Sequence, residues 1–572
     1  MEQAQFTPDS TVHDVIIVGA GPCGLAVAAR LCEHTPSAIF TDEEHQRYHW
    51  IKKYGARMSV KDRKNGKVKL ATPRLGRQYS TLVLDATGDQ WMNRWNRLFK
   101  TYDISHLRSP MFFHVDPGDR DGLLAYAHEQ GREDELDEIR DCVGKEISKH
   151  QRKKRAKGRV QKPQAEVVID ERDRKDYYRP SRPLFTSHCD CIVERYGLRK
   201  GLVQQKRVED IQYGIVREYS DVDKIFTVKT DKGIHFARTV VMAVGPGNSP
   251  RIPTPMPSGV EEQETPPQMC HSMHIQQFPD PVVMAKIKAK QESNILIVGG
   301  GLTSAQLADL AVRKGVTKVH LLMRGPVKVK HFDFDLAWTG KFRNFEQAIF
   351  WSADSDEGKS TITPPTNCLP ERLAMIRQAR NGGSINPPYH KRLLHHAATR
   401  RLALHTYTTI SSLSFDARTR TYSVSTNPPT PTPLPPIDYI YYATGIDTDY
   451  ATLPFLRSIN ASFPVDGFGG MPCITDDLMW RRDVPLFVTG KMAGLRLGPA
   501  AGNLGGARQG AERVAWAIEE LLDKAAAQGL GSAEESDEHD EGEQEALDFV
   551  AGRGSRYGVL GSEHGDDDGD DV

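Results

Sequence analysis

What this 572-residue chain lacks narrows it first. It has no apolar run approaching the ~20 residues that cross a bilayer, so a membrane span is not expected. Its first residues, Met1-Glu2-Gln3-Ala4-Gln5, are polar and carry no secretory signal, which makes the cytosol the expected compartment. Its eight cysteines (Cys23, Cys32, Cys142, Cys189, Cys191, Cys270, Cys368, Cys473) form no CxxC pair and fall in no metal-ligand spacing. They read as reduced thiols, not as a disulfide framework, a redox dithiol or a metal site.

Net charge is missing too, because 75 Lys and Arg offset 75 Asp and Glu. The balance hides an asymmetry: from Gly531 to Val572 fifteen acidic residues face two arginines, a balance of −13, so residues 1–530 carry +13. The acidic tail, Ser532 to Glu545 and Asp566 to Asp571, is expected to be disordered. Much of the positive charge lies between Lys145 and Lys162, which includes Gln151-Arg152-Lys153-Lys154-Arg155-Ala156-Lys157. Such a run can mark nuclear import or a nucleic-acid patch. No aromatic residues interleave it as base stacking requires, so a solvated helix or insertion is the simpler account and no nucleic-acid partner is expected.

What is present is a pair of glycine fingerprints whose first glycines, Gly19 and Gly299, lie 280 residues apart. One reads Val15-Ile16-Ile17-Val18-Gly19-Ala20-Gly21-Pro22-Cys23-Gly24, the other Ile295-Leu296-Ile297-Val298-Gly299-Gly300-Gly301-Leu302-Thr303-Ser304. Each follows four β-favouring apolar residues and opens a helical apolar pattern, the context that separates a dinucleotide site from a chance match. The first glycine allows the sharp turn, the second lets a diphosphate approach the backbone, and the third position (Gly24, Ser304) stays small for close helix–strand packing. The diphosphate then rests on the free N–H groups of the helix start. Thiol–disulfide reductases also carry two such sites, but they need the dithiol this chain lacks.

The residues at the end of each following strand suggest which dinucleotide goes where. After the first fingerprint, Ala38-Ile39-Phe40-Thr41 runs into Asp42-Glu43-Glu44, and carboxylates there suit the ribose hydroxyls of FAD or NAD. After the second, Lys318 to Met323 ends at Arg324, with Lys328 and Lys330 close behind, which suits the 2′-phosphate of NADPH. An ordinary surface arginine is the alternative for Arg324.

The fold class expected is α/β, with two Rossmann-like dinucleotide-binding domains, an NADPH domain being inserted into an FAD domain. Boundaries are expected at 1–288 for the first part of the FAD domain, with a basic insertion near 145–175. Residues 289–425 then form the inserted NAD(P)H domain, 426–525 the second part of the FAD domain, and 526–572 the tail. Leu402–Tyr407 and Tyr422–Ser425 look hairpin-like, and the proline-dense 427–436 an exposed excursion. Ile437 to Gly445 and Pro485 to Gly490 read as buried strands, and a last helix from about Gly505 presents Ala511, Val514, Ala515, Ile518 and Leu522 on one stripe.

On these residues the chain resembles the flavoproteins with two dinucleotide-binding domains, and among them the class B flavin monooxygenases. Val241 to Gly245 followed by Pro250-Arg251-Ile252-Pro253 resembles their crossover out of the FAD domain. Cys270-His271-Ser272 is similar to the His-Ser step before their NADPH unit, and Tyr442-Ala443-Thr444-Gly445-Ile446 to the ATG(Y/F) segment where the chain returns to the flavin, with Ile446 in place of the aromatic. The lysine and ornithine N-hydroxylating monooxygenases are the most similar subgroup. His106-Leu107-Arg108-Ser109-Pro110, running on to Asp121–Tyr126, resembles their substrate-side segment, and Tyr178 to Phe185 their Pro-Ser-Arg region.

The resemblance spans most of residues 12–525, with Gly55 to Trp95 as an extra stretch. It implies FAD at Gly19, Gly21, Gly24, Asp42 and Glu43, approached again by Ala443, Thr444, Gly445 and Gly505, and NADPH at Gly299, Gly301, Ser304 and Arg324. The reduced flavin of such enzymes takes up O2 and, as a peroxyflavin, oxygenates an amine or similar soft nucleophile; no catalytic side chain is assigned. His49, His106 and His114 are polar candidates near the flavin, with a structural role as the simpler account, and Trp50, Trp91 and Trp95 could line a pocket or fill the core. Two other readings stay open: an NADPH-dependent flavin oxidoreductase without productive oxygen transfer, and a flavoprotein regulator resembling the oxidative-stress-induced growth inhibitors.

Overall fold

In the computed structural model, the residues described are 11–33, 36, 59–61, 68–70, 78–140, 142, 177–199, 201–247, 249–253, 267–339, 346–347, 349–350 and 368–529. The acidic tail, the basic run, Asp42, Glu43, His49 and Trp50 lie outside them.

The elements that position the site begin with β1 (Val12–Val18), α1 (Pro22–Cys32), β2 (Thr81–Asp85), α2 (Asn93–Thr101) and α3 (Arg182–Arg195). There follow β3 (Val203–Gln205), β4 (Val208–Ile215), β5 (Lys224–Thr230) and β6 (Gly233–Met242). Next come β7 (Met269–His271), β8 (Asn294–Val298), α4 (Leu302–Arg313), β9 (Lys318–Met323), α5 (Cys368–Arg380), α6 (Pro387–Ala398), β10 (Leu402–Thr406) and β11 (Tyr439–Tyr442). The last are β12 (Met479–Arg481), β13 (Val484–Val488) and α7 (Leu504–Gly529).

Two sheets divide these strands, and the chain has the expected α/β class. The first runs β12-β13-β6-β1-β2-β3, with β5 added antiparallel to β6 and β4 to β5. Around β1 all pairings are parallel, and Ile17 sits between Val241 and Val83. Strands covered on both faces and both edges read as unbroken apolar runs, which is why Val15, Ile16 and Ile17 are all fully buried. The expected stripe of α7 is buried as well, from Ala511 to Leu522, and α7 lies along α1, where buried Arg30 meets Glu512 at 2.8 Å.

The second sheet is parallel throughout, in the order β7-β11-β8-β9-β10. Sheet membership cuts across the expected boundaries. Both β7, placed by sequence in the first part of the FAD domain, and β11, placed in its second part, belong to the sheet of the second fingerprint. The reason is strand order: β11 fills the slot between β7 and β8, which only a late return of the chain can reach. Leu402–Thr406 is the edge strand of this sheet, and the hairpin consists of Thr409–Asp416 and Thr421–Asn427. That hairpin packs Leu413 and Tyr422 against Leu296, Ile440 and Tyr442. Among the described residues no helix is long and apolar enough to cross a membrane.

Candidate functional site

The chain leaves β1 at Gly19, whose φ of 110° lies in the left-handed region. A Cβ there would stand 2.6 Å from the carbonyl oxygen of Ala243, at the end of β6. Gly21 precedes α1, and among the described residues no side chain caps that helix and nothing lies within 4 Å of the place its Cβ would take. The turn before α1 thus has room beside Gly21 and a helix start without a side-chain cap, an arrangement that a diphosphate fits. At Gly24 a Cβ would come within 2.0 Å of the Gly19 carbonyl oxygen, so only glycine lets the helix sit this close to the turn.

The acid beside this turn is Asp85. Among the described residues the neighbours of β1 are β6 and β2, while Ala38–Thr41 lie outside the described residues. The strand that ends next to the first turn is β2, and Asp85 closes it. One carboxylate oxygen accepts from Ala20 N–H at 2.8 Å, and the other from Thr87 N–H at 2.7 Å. Asp42 and Glu43 lie outside the described residues, and among those described Asp85 is an acid bonded to this turn. Thr81-Leu82-Val83-Leu84-Asp85 carries the signal being sought, an apolar run ending in an acid, but stands about three times as far from the fingerprint as the usual ~20 residues.

The second turn repeats the first. Gly299 has φ 151°, and its Cβ would stand 2.3 Å from the carbonyl oxygen of Ala443, just after β11. Gly301 precedes α4, again with no side-chain cap. Among the described residues the atom within 4 Å of its missing Cβ is Gly383 Cα, at 3.7 Å. Gly383 is itself confined, since a Cβ on it would lie 3.0 Å from Gly301 Cα. Ser304 is fully buried and donates its hydroxyl to Gly301 O at 2.7 Å, closing the helix start from within.

Ala443 N–H donates to Val298 O, and Ala443-Thr444-Gly445 therefore abuts the second turn, where sequence had expected a return to the first. The equivalent segment at the first turn is Ala243-Val244-Gly245. Gly505, at the start of α7, packs on Phe113, whose ring would lie 2.8 Å from an added Cβ.

The cations behind β9 divide. Lys328 Nζ donates to Asn381 O and Oδ1, and Lys330 Nζ to Asp335 and Ala379 O, so both hold loops together. Arg324 is exposed and pairs with no acid among the described residues. Lys491, one residue past the end of β13 and Thr489-Gly490, escaped the sequence reading; burial, then the charge of Arg380, holds its ammonium below the ordinary lysine value.

The remaining candidates among the described residues are each bonded or packed to protein neighbours. His114 is buried, accepts from Asp116 N–H on Nδ1 and bonds Arg120 O through Nε2; burial, then Arg508, drives its pKa far below the ordinary value, so it is neutral. His106 bonds Ser105 Oγ at 3.2 Å. Trp91 donates to Leu198 O, and Trp95 stacks on Phe99 with centroids 3.7 Å apart. The thiol of Cys23, in the first turn of α1, is pushed up to about 12 by burial.

Neither a protein-family model nor any curated protein matches the chain by sequence. Solved structures do share its fold. The ornithine N-hydroxylase of Kutzneria sp. 744, determined with reduced FAD, NADP+ and L-ornithine, matches with a TM-score of 0.55 at 16% identity, over 90% of this chain and 100% of that one. The ornithine hydroxylase of Pseudomonas aeruginosa in its reduced form gives 0.55 at 16%, again over 90% and 100%. The L-lysine 6-monooxygenase of Pseudomonas syringae gives 0.52 at 17%, over 89% and 100%. At such identity the likeness establishes the fold.

Proposed function

We propose that the chain is an FAD- and NADPH-dependent oxidoreductase that acts as a monooxygenase on an amine or similar soft nucleophile. The observation that carries this reading is the repetition of one turn, two strand–glycine–helix junctions whose helices each start without a side-chain cap, with room beside Gly21 and with Gly383 bordering Gly301. Two such places suit a resident dinucleotide and a visiting one. In this reading Gly19, Gly21, Gly24 and Asp85 hold FAD, with the unit built from residues up to 253 and from 446 onward. Gly299, Gly301, Ser304 and Arg324 hold NADPH, with the unit spanning 267–445 and Ala443-Thr444-Gly445 lining its turn.

Bound flavin supplies hydride acceptance and, once reduced, reaction with O2. The chain's own groups bind and orient. The N–H groups at the start of α1 and α4 take the diphosphates, Asp85 lies where ribose hydroxyls come within reach, and the exposed guanidinium of Arg324 takes the 2′-phosphate. The amine class rests on the likeness to ornithine and lysine hydroxylases in fold. The test is purification followed by turnover: a yellow protein that oxidises NADPH and forms one hydroxylamine per NADPH from a supplied amine is expected. NADPH consumption yielding only hydrogen peroxide would remove the monooxygenase step, and a colourless protein with no NADPH oxidation would remove the whole reading. Arg324→Ala should weaken NADPH about 10-fold or more and leave NADH nearly unchanged, as loss of a charge-assisted hydrogen bond predicts.

A further inference from the structure

One side chain from the first unit gathers two loops, one of which borders the second turn through Gly383. Arg108 is 12% exposed, on a segment held by Leu107 N–H donating to Pro180 O. Its Nε donates to His331 O at 3.0 Å, and Nη2 to Lys330 O at 2.8 Å, Phe332 O at 2.7 Å and Ser384 Oγ at 2.8 Å. Nη1 donates to Asp333 Oδ1 at 2.6 Å and to Ser384 O at 3.3 Å. Only one of these acceptors is an acid, so the guanidinium is used mainly as a rigid fork of donors for carbonyl oxygens.

Its targets are what matter. Residues 330–333 follow β9 and Arg324, while Ser384 is next to Gly383, the residue in contact with Gly301. The two loops are also joined to each other, since Lys330 N–H donates to Ile385 O and Ile385 N–H to Lys328 O. The other oxygen of Asp333 accepts from Asn503, just before α7, at 3.4 Å. The network therefore reaches from the first unit, through the loop whose Gly383 borders the second turn, to the residue before the helix that covers α1.

We propose that Arg108 is a positioning residue for hydride delivery, fixing from the first unit the loop that sets the clearance at Gly301. This rests on the functional reading above. Reaction between two bound cofactors depends steeply on placement, and an error of about 1 Å can lower a rate about 100-fold. Since Arg108 touches neither turn, its loss should act on the rate of flavin reduction more than on the amount of flavin bound.

The test is stopped-flow reduction of the purified, FAD-loaded protein by NADPH, followed by flavin absorbance. Arg108→Ala should lower the limiting reduction rate at least 10-fold, with FAD content unchanged. Arg108→Lys should not restore it, because an ammonium cannot reach His331 O, Phe332 O and Asp333 together. Ser384→Ala, which removes one acceptor, should lower the rate about threefold. Should Arg108→Ala fail to fold, Arg108→Lys and Ser384→Ala decide the matter. Wild-type limiting rates in the variants would overturn the positioning role while leaving the functional reading intact; a wild-type flavin that NADPH does not reduce overturns both.

Discussion

Neighbouring glycines of one fingerprint do different work, and substitution should separate them. Gly19 combines a left-handed φ with a carbonyl 2.6 Å from any Cβ, whereas Gly21 faces empty space among the described residues. Gly21→Ala should therefore fold with a melting temperature near that of wild type and lose flavin, read as the ratio of absorbance at the flavin band to that of protein. Gly19→Ala should lose folded protein as well. Equal behaviour of the two would contradict the geometry. Asp85→Ala leaves Ala20 N–H without its acceptor, a loss of about 1–3 kcal/mol, and should lower both melting temperature and flavin content. At this scale the glycines were legible because each answers a steric demand with a residue type. Asp85 was not, because spacing was the only guide and it stands about three times as far from the fingerprint as the usual ~20 residues.

Elements were legible where periodicity carried them and obscured where order did. The apolar runs β1, β6, β8 and β11 and the stripe of α7 were all visible, since each buries its own residues. Which sheet β7 and β11 join depends on a slot made by strands far away in sequence, and nothing in Tyr439-Ile440-Tyr441-Tyr442 records it. Leu402–Thr406 was misplaced for the same reason: an edge strand of a parallel sheet and the arm of a hairpin share one local pattern. The loop between α5 and α6 offers a prediction of its own. A Cβ at Gly383 would press on Gly301 Cα at 3.0 Å, and the neighbour is backbone that cannot rotate away. Gly383→Ala should raise the Kd for NADPH several-fold, measured by titration, with FAD content unaffected; a matching loss of FAD would show that the loop serves both turns.

Over the whole molecule, buried histidines set the response to acid. Burial, followed by the charge of Arg195, lowers the pKa of His188 to about 3, and burial, followed by His405 and Lys318, lowers His320 to about 4. His114 is shifted the same way. The unfolded chain takes up these protons near the ordinary value of about 6.5, while the folded chain resists until about pH 4. Stability should be level above about pH 7 and fall as the pH drops from about 6.5 to about 4, visible as a falling melting temperature. A rise on acidification would contradict the burial of these rings. The separation into two units was readable from the paired fingerprints, whereas their joining by Arg108 was not, because carbonyl acceptors leave no mark in a sequence.

The approach of Ala243 O to Gly19, and of Ala443 O to Gly299, has a genetic consequence. In both turns the neighbour that excludes a side chain is a main-chain atom, which every amino acid carries. No replacement at position 243 or 443 can shorten a carbonyl group. A selection for second-site suppressors of Gly19→Ala or Gly299→Ala should therefore return true revertants and nothing from the facing strand. Both glycines should behave as positions that inheritance cannot compensate locally.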